Sequence, residues 1–583
     1  MPTATFALAY LQQLTPLEPG DLVRHAFNYG LEATLGSQTL GVEVPADRPD
    51  LLSAEGFARV LTLYGQGVGS QGGRSLPPSL APSGRRIRVD ARVMPLRPHI
   101  AALVVHHPRL NQGGLESFLQ FQDKVSQTYG RQRRKIALGC YDLSQIEGDL
   151  VYGAALKEAL ELVPLGDDRP WSAAEILSRH PKGLRHGGSL PPGDWVPVLW
   201  DGAGRVLALP PVVNGAGVGE VGPATEHLLV DVTGTSAQGV QQIANILAHN
   251  FLDRGAMVET VAIGYPAEDL GDSARNPGAI ASHPQPTPED PFHWHTTPTL
   301  EPQRVPFEAK FLNGVVGTFI AKGELDRYLA PMDLHLEGKN HIQVPTYRTD
   351  ILSQSDLAGD LLVAVGLDNL EADRSHLAFY TGTPDPLKTL AHDLGDWAQR
   401  MGLTEVKSYI LTDPALLQGF PGQPLLTTNA RTQSHSVTRP SLLPGLLDIL
   451  AHHINAPKPL NLYEVGEVVQ WQGDLGESGT VRESLHWGFA SLDAKASFAT
   501  AKAYIQTLLR AMGVTYGLEP CAESCYIPGR SAWVEVTTPQ GEIQRAGHFG
   551  EIHPEILHRF SFPEPVCAGE LDCQVLAARI KKV

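Results

Sequence analysis

An α+β protein of several domains is the expectation from three features of this sequence. The chain has 583 residues, and at about 150 residues per domain that suggests roughly four domains. Segments with helical and strand periods mix without strict alternation, which argues for separate α+β modules rather than one doubly wound sheet. Breaker-rich stretches punctuate the chain from Ser70 to Arg86 (SQGGRSLPPSLAPSGRR), from Asn276 to Trp294 and from Thr381 to Pro386, where too few apolar residues fall together to build an element.

Four helices are expected in order. After Ser53, a good N-cap, Phe57, Val60, Leu61 and Tyr64 share a face. Leu115, Phe118, Leu119, Gln122 and Val125 make a second stripe, and Val240, Ile243, Leu247 and Phe251 a third. Leu387, Leu390, Leu394, Trp397 and Met401 make the fourth. Strands are expected over Lys135 to Gly139, His227 to Val232, Val258 to Tyr265 and Leu460 to Val469, which are rich in apolar and β-branched residues. No period of about 20 to 50 residues repeats, so a solenoid or propeller is not expected.

Hydrophobic residues make 42% of the chain and charged residues 19%, as in ordinary globular proteins. The net charge of −17 means that any RNA contact must come from a local patch. Five cysteines cannot staple several domains, so a reducing compartment and a hydrophobic core are expected. No apolar run approaches about 18 to 20 residues, so no membrane span is expected. The first residues, MPTATFALAYLQQL, lack a cationic start followed by an apolar stretch, so the expected location is cytoplasmic.

Several motifs bear on chemistry. Gly217, Gly219 and Gly222 match a dinucleotide-binding spacing, but Pro223 and a strand follow where that chemistry needs a helix, so a loop is expected. His293 and His295 lie in the Pro-rich stretch without zinc-type spacing and are expected to be solvated. Cys521/Cys525 and Cys567/Cys573 fit no zinc framework. Arg131, Arg133, Arg134 and Lys135 form a basic run between a helix and a strand, which either grips phosphates or is a solvated face. Asp231 to Ser236 (DVTGTS) ends a strand and opens a helix; it suits a polar ligand or simple capping. Asp356 and Asp360 are spaced to share a helix face, and Asp350 ends the extended segment before them. Such oxygen donors suit Mg²⁺ or capping.

Around these residues the sequence resembles phenylalanyl-tRNA synthetase β subunits of the archaeal/eukaryotic type. Val344 to Leu370 (VPTYRTDILSQSDLAGDLLVAVGLDNL) is similar to the family's P-x-Y/W-R-x-D-I, D-L-x-E-E and Y-G-Y-D-N-I pattern. In the same order along the chain, Asp47 to Ser53 with Glu55-Gly56, Arg133 to Gly139 with Asp142, Pro210 to Asn214 and Asp231 to Thr235 match family segments. Leu442 to Leu447, Glu464 to Gly466, Ile527 to Arg530 and Phe549 to Pro554 do so near the end.

The resemblance implies an N-terminal α+β domain over 1–90, an editing-like, tRNA-binding-type domain over 91–290 and a small winged-helix-like, Mg²⁺-associated domain over 301–376. It implies a C-terminal core over 383–583 with the antiparallel sheet and helices of a class II aminoacyl-tRNA synthetase. That core shows no Arg-x-Glu with a following Gly-x-Gly-x-x-x-Arg, so it is expected to be catalytically inactive. The implied partner is an α subunit in an α₂β₂ heterotetramer, which binds ATP and phenylalanine and charges tRNA-Phe. Leu442, Leu443, Leu446 and Leu447 are expected to face that partner or an internal core. The editing-like domain implies hydrolysis of mischarged tyrosyl-tRNA, with Asn214, Asp231 and Thr233 as its site. It also implies Mg²⁺ at Asp350, Asp356, Gly359 and Asp360, with Gly359 standing where the family has Glu. Asp47 replaces an Asn, and Cys140-Tyr141 stand where Ile-His is frequent. The resemblance also implies tRNA contact by the basic run Arg131, Arg133, Arg134 and Lys135. A stand-alone editing hydrolase and a non-catalytic tRNA-binding assembly protein are the alternatives.

Overall fold

The computed structural model describes residues 2–69, 79–266, 291–370, 381–473, 479–537 and 542–577. Most of the first two breaker-rich stretches lies outside these residues. The chain divides into a unit of residues 1–374 and a unit of residues 375–583, both mixed α and β.

The first unit opens with a three-stranded antiparallel sheet of β1 (Thr3–Ala7), β2 (Glu32–Leu35) and β3 (Thr39–Glu43), with β3 central. The helix Ala54–Gly65 follows, and the Ser53 hydroxyl accepts the Gly56 N–H at its start, as a capping residue should.

A ten-stranded mixed sheet occupies the middle of this unit. Its strands are β4 (Ala81–Val89), β5 (His99–His106), β6 (Ile136–Asp142) and β7 (Leu150–Leu156). After a small two-stranded sheet of β8 (Glu161–Leu162) and β9 (Trp171–Ser172) come β10 (Trp195–Trp200), β11 (Val206–Leu209) and β12 (Val213–Asn214). β13 (His227–Gly234), β14 (Met257–Pro266) and β15 (Phe292–Thr297) complete it. The order is β12-β11-β10-β7-β4-β14-β5-β13-β6, with β15 on β14.

Alternation on β13 places Leu228, Val230 and Val232 in one core, beneath the helices Gln112–Gln127 and Ala237–Asp253. Leu229, Asp231 and Thr233 therefore face the opposite side, toward the core of Ile100, Ala102 and Val104. The unit ends with a sheet of β16 (Gln303–Pro306), β17 (His335–Glu337) and β18 (His341–Val344), covered by helices that include Gln354–Val365.

Three details differ from the sequence reading. β4, placed in the N-terminal domain by a boundary at 90, pairs with β14 and β7 of the large sheet. β15 carries that sheet past 290, so His293 and His295 sit on a strand rather than in a solvated linker, and His295 stacks on Tyr265. One continuous apolar core runs from Ala4 through Ile246 to Leu361, joining the three expected N-terminal domains.

The second unit is a seven-stranded sheet, ordered β19-β22-β23-β27-β26-β25-β24, with the two-stranded sheet of β20 (Leu411–Thr412) and β21 (Val437–Thr438) beside it. The strands are β19 (Thr404–Glu405), β22 (Leu460–Gln472), β23 (Thr480–Leu492), β24 (Tyr516–Pro520), β25 (Tyr526–Thr537), β26 (Ile543–Ile552) and β27 (Val566–Asp572). All neighbours are antiparallel except β19 and β22. The helices Pro386–Arg400 and Phe498–Ala511 fill one core, and the helix Leu443–His452 fills the other. Leu442, Leu443, Leu446 and Leu447 are each 0% exposed within that second core, so they are spent inside the chain and cannot face a partner. Among the described residues no helix is long and apolar enough to cross a membrane.

Candidate functional site

A cavity of 320 Å³ opens on the Asp231 face of the large sheet, a size suited to a small organic group. Asp231, Thr233 and Asn214, which the sequence had grouped, all line it. Register explains the grouping. Asp231 pairs with Gly139 and Thr233 with Ala137 across β13 and β6, so the acid and the hydroxyl project to one side. Asn214 comes from β12, and its Nδ2 donates to the Cys140 carbonyl at 3.2 Å, tying the loop after β11 to β6.

Asp231 is 1% exposed, and its Oδ1 has no hydrogen-bond partner. Burial pushes its carboxyl up to about 6, and the Tyr141 hydroxyl and Arg97 guanidinium only partly offset that push. A buried oxygen without a donor is costly unless a ligand supplies one. Gly139 provides the room: a Cβ there would overlap Asp231 Oδ1 and the Tyr141 hydroxyl. A carboxylate with an unpartnered oxygen that lines a cavity suits a primary ammonium.

Thr233 is set by Arg97, which the sequence reading missed. Arg97 is 2% exposed. Its Nε donates to Thr233 Oγ1 at 2.9 Å and its Nη2 to the Thr233 carbonyl at 2.5 Å. The Thr233 oxygen thereby accepts from the protein and keeps its own proton for another acceptor. Burial lowers the Arg97 pKa to about 10, still well above neutral pH. No local pattern marks Arg97, because its partner is 136 residues away.

The basic run divides among different tasks. Arg131, Gln132 and Arg133 turn at φ of 49°, 55° and 67°. Arg133 lines the cavity and donates from Nη1 to the Pro211 carbonyl at 3.0 Å. Lys135 lies 4.7 Å over the Tyr129 ring, whereas Arg131 and Arg134 are exposed and outside the cavity. Lys182, Arg185 and His186, which no motif flagged, also line the cavity. The three glycines at 217, 219 and 222 lie in a turn-rich loop with no helix after them.

The carboxylates expected to hold Mg²⁺ are engaged with other groups in this structure. Asp350 accepts from Arg348 Nε at 2.9 Å and Nη2 at 2.7 Å, and the same Nη2 reaches Asp360 at 2.7 Å. Arg48 approaches Asp350 at 3.6 Å. Asp356 closes a capping box, accepting from the Leu352 and Ser353 N–H groups at 2.9 and 2.8 Å. Gly359 faces open space and brings no side chain. The carboxylates are therefore satisfied by cations and backbone, and two buried guanidinium groups would repel a dication. Among the described residues no group of three His, Cys, Asp or Glu could hold a metal ion.

In the second unit a 460 Å³ cavity is lined by Lys407, Ser408, His435, Arg439 and Glu464 among others. Its Arg439 is committed to Glu464 at 2.7 Å, to Ser408 Oγ at 2.6 Å and to the Glu467 carbonyl at 2.8 Å.

Comparison with known proteins agrees with this architecture. A family model for the phenylalanyl tRNA synthetase beta chain CLM domain matches residues 373–573. The phenylalanine–tRNA ligase beta subunit of Aeropyrum pernix is 31% identical over 585 residues, covering 99% of this chain and 99% of that protein. That of Pyrococcus furiosus is 28% identical, covering 90% of this chain and 89% of its own. The crystal structure of an N-terminal fragment of the phenylalanyl-tRNA synthetase beta subunit from Pyrococcus horikoshii has a TM-score of 0.54 and 25% identity. It covers 62% of this chain and 99% of the fragment. The similarity runs from end to end, and the chain belongs to the phenylalanine–tRNA ligase beta subunit family, subunits of an aminoacyl-tRNA synthetase.

Proposed function

We propose that this chain acts in the cytoplasm with an α subunit, as an α₂β₂ assembly that attaches phenylalanine to tRNA-Phe, and that its own chemistry is hydrolysis of tyrosyl-tRNA in the Asp231 cavity. The observation that carries the hydrolytic part is the unpartnered Asp231 Oδ1 among the residues that line the cavity. The substrate's α-ammonium would supply the missing donor. Thr233, held by Arg97, would donate its hydroxyl proton to the ester carbonyl or to an attacking water. Arg97, Tyr141 and Asn214 hold these groups in place, so the gain is one of orientation. Selecting phenylalanine over tyrosine means rejecting an added hydroxyl, which an apolar pocket does weakly, and a second sieve answers that need.

ATP chemistry is assigned to the α subunit. Arg439, in the second unit's cavity, spends its donors on Glu464, Ser408 and Glu467, which supports a non-catalytic class II-like scaffold over 383–583. Where Mg²⁺ is needed it would accompany ATP phosphates there, as hard dications commonly do.

The test is co-expression with the cognate α subunit. The pair should copurify and make phenylalanyl-tRNA, and this chain alone should make none. With the Asp231→Ala chain, phenylalanine charging should persist while tyrosyl-tRNA accumulates. A chain that ignores α and leaves charging unchanged would contradict the assembly, and equal tyrosyl-tRNA in variant and wild type would contradict the site.

A further inference from the structure

Outside the Asp231 cavity, three strands of the large sheet are joined at one end by side chains. His106 closes β5 and His227 opens β13, and the two are cross-strand partners. Their Nδ1 atoms stand 2.8 Å apart. On its other side, His106 Nε2 stands 2.9 Å from Oε2 of Glu259, which β14 carries. One imidazole thus bridges β13, β5 and β14, which are neighbours in the sheet. The His106 and Glu259 side chains are 21% and 19% exposed, so protons from solvent reach them.

Proton counting limits this arrangement. A contact between two Nδ1 atoms needs an N–H on one ring and a lone pair on the other. The neutral pair satisfies it: His106 donates from Nε2 to Glu259 and accepts from His227. The singly charged pair satisfies it too, with His106 donating from both nitrogens and the Glu259 carboxylate opposite its charge. The doubly charged pair does not, because two N–H groups of like charge would then face each other across 2.8 Å. Around the pair, His107 brings a third imidazole, its ring 5.8 Å from that of His227. Glu226 is exposed beside His227, and the Arg109 guanidinium lies against Gly255, just before β14.

The loop that leaves this contact is strained. His107 and Arg109 have φ of 51° and 50°, left-handed values that residues with a Cβ adopt at a cost, and Pro108 stands between them. The His107 N–H donates to the Glu226 carbonyl at 2.7 Å, and Leu110 is 2% exposed. Asn111 then caps the helix Gln112–Gln127, accepting the Gly114 N–H at 2.9 Å. A strained segment persists only while its surroundings fix it, and the imidazole contact sits at its root.

We propose that His106, His227 and Glu259 form an acid-opened clasp on the strained loop from His107 to Leu110. With two or three N–H protons on the imidazole pair the clasp is closed, and the fourth proton breaks it and frees the loop. Its contribution to stability is present at neutral pH and is lost as pH falls. That is the opposite sense to Asp231, whose protonation favours the fold. The clasp stands independently of the hydrolytic assignment.

The test is amide hydrogen exchange on the full-length chain at about pH 8 and about pH 5, the span over which imidazoles charge, corrected for the intrinsic effect of pH. In the wild type, protection over Val104 to Asn111 and His227 to Val230 should fall about tenfold in acid. Protection of β6, on the far side of β13, should hold. His227→Asn keeps a hydrogen-bonding partner for His106 Nδ1 but takes no proton, so its protection should be equal at both pH values. His227→Ala removes the partner, so the loop should be unprotected at both. Wild-type protection unchanged in acid, loosening spread evenly to β6, or a His227→Asn chain as acid-sensitive as wild type would each overturn the clasp. Should either variant fold poorly, the wild-type contrast between the loop and β6 decides alone.

Discussion

Arg97 Nε donates to Thr233 Oγ1 at 2.9 Å, and its Nη1 reaches the carbonyls of Arg133 and Arg134 at 3.0 and 3.2 Å. One buried guanidinium thus fixes a hydroxyl in the cavity and the turn that carries Arg133. Arg97 is a positioning residue. Arg97→Met should lower kcat for tyrosyl-tRNA hydrolysis about 10- to 100-fold through misplacement of Thr233. It should also destabilise the first unit by about 1–3 kcal/mol, because buried carbonyls lose their donor. A change in KM alone, with kcat intact, would contradict a positioning role.

Asp231 couples function to stability. Its folded pKa, about 6, lies above the ordinary carboxyl value of 3.8. Its neutral form therefore stabilises the fold fully below about pH 4, and that contribution is lost as pH rises through about 6. Above that the folded state carries on the order of 3 kcal/mol of cost. Asp231→Asn should melt higher than wild type at pH 8, with the gap shrinking toward zero at pH 4, while hydrolysis is lost. A gap independent of pH would show that Asp231 does not titrate in this range.

The junction around Arg348 should behave as a metal-free ion cluster. Arg348 is buried and bonded to Asp350 and Asp360, and Arg48 adds a bidentate pair with Asp50. Arg348→Ala would strip Asp360 of its ion pair and leave Asp350 only the longer contact to Arg48, at a cost of about 3–5 kcal/mol. Treatment with EDTA should leave the melting temperature of the isolated chain unchanged. A drop of several degrees restored by Mg²⁺ alone would contradict the cluster drawn from these distances.

The leucine-rich helix Leu443–His452 should matter to folding before assembly. Leu446 is 0% exposed in the second unit's core, so Leu446→Ala should destabilise that unit by about 2–5 kcal/mol. Denaturation of the chain without α would register the loss. Unchanged stability with impaired α binding would instead place Leu446 at the subunit contact.

Local periodicity carried much of the fold. The stripes at Phe57 to Tyr64 and Val240 to Phe251 are helices because their apolar spacing matches a helical face. Asp231 and Thr233 drew notice because they fall in a polar run that ends a strand and opens a helix. What escaped depends on distant pairing. Nothing near Arg97 reveals Thr233, and nothing near Lys182 places it at the cavity. The carboxylates at 350, 356 and 360 were legible from their spacing, but not the guanidinium of Arg348 that bonds Asp350 and Asp360. Ala81 to Arg86 looked like a linker because Pro82 and Gly84 mask a strand whose partners lie at β7 and β14.

The central claim is that the Asp231 cavity hydrolyses a mischarged ester. Single-turnover deacylation of purified tyrosyl-tRNA by the holoenzyme, wild type beside Asp231→Ala, tests it most directly. The account requires rapid release of tyrosine by the wild type, slow release of phenylalanine from phenylalanyl-tRNA, and a loss of about 100-fold or more for tyrosine in the variant. Equal tyrosine release by both proteins would contradict it.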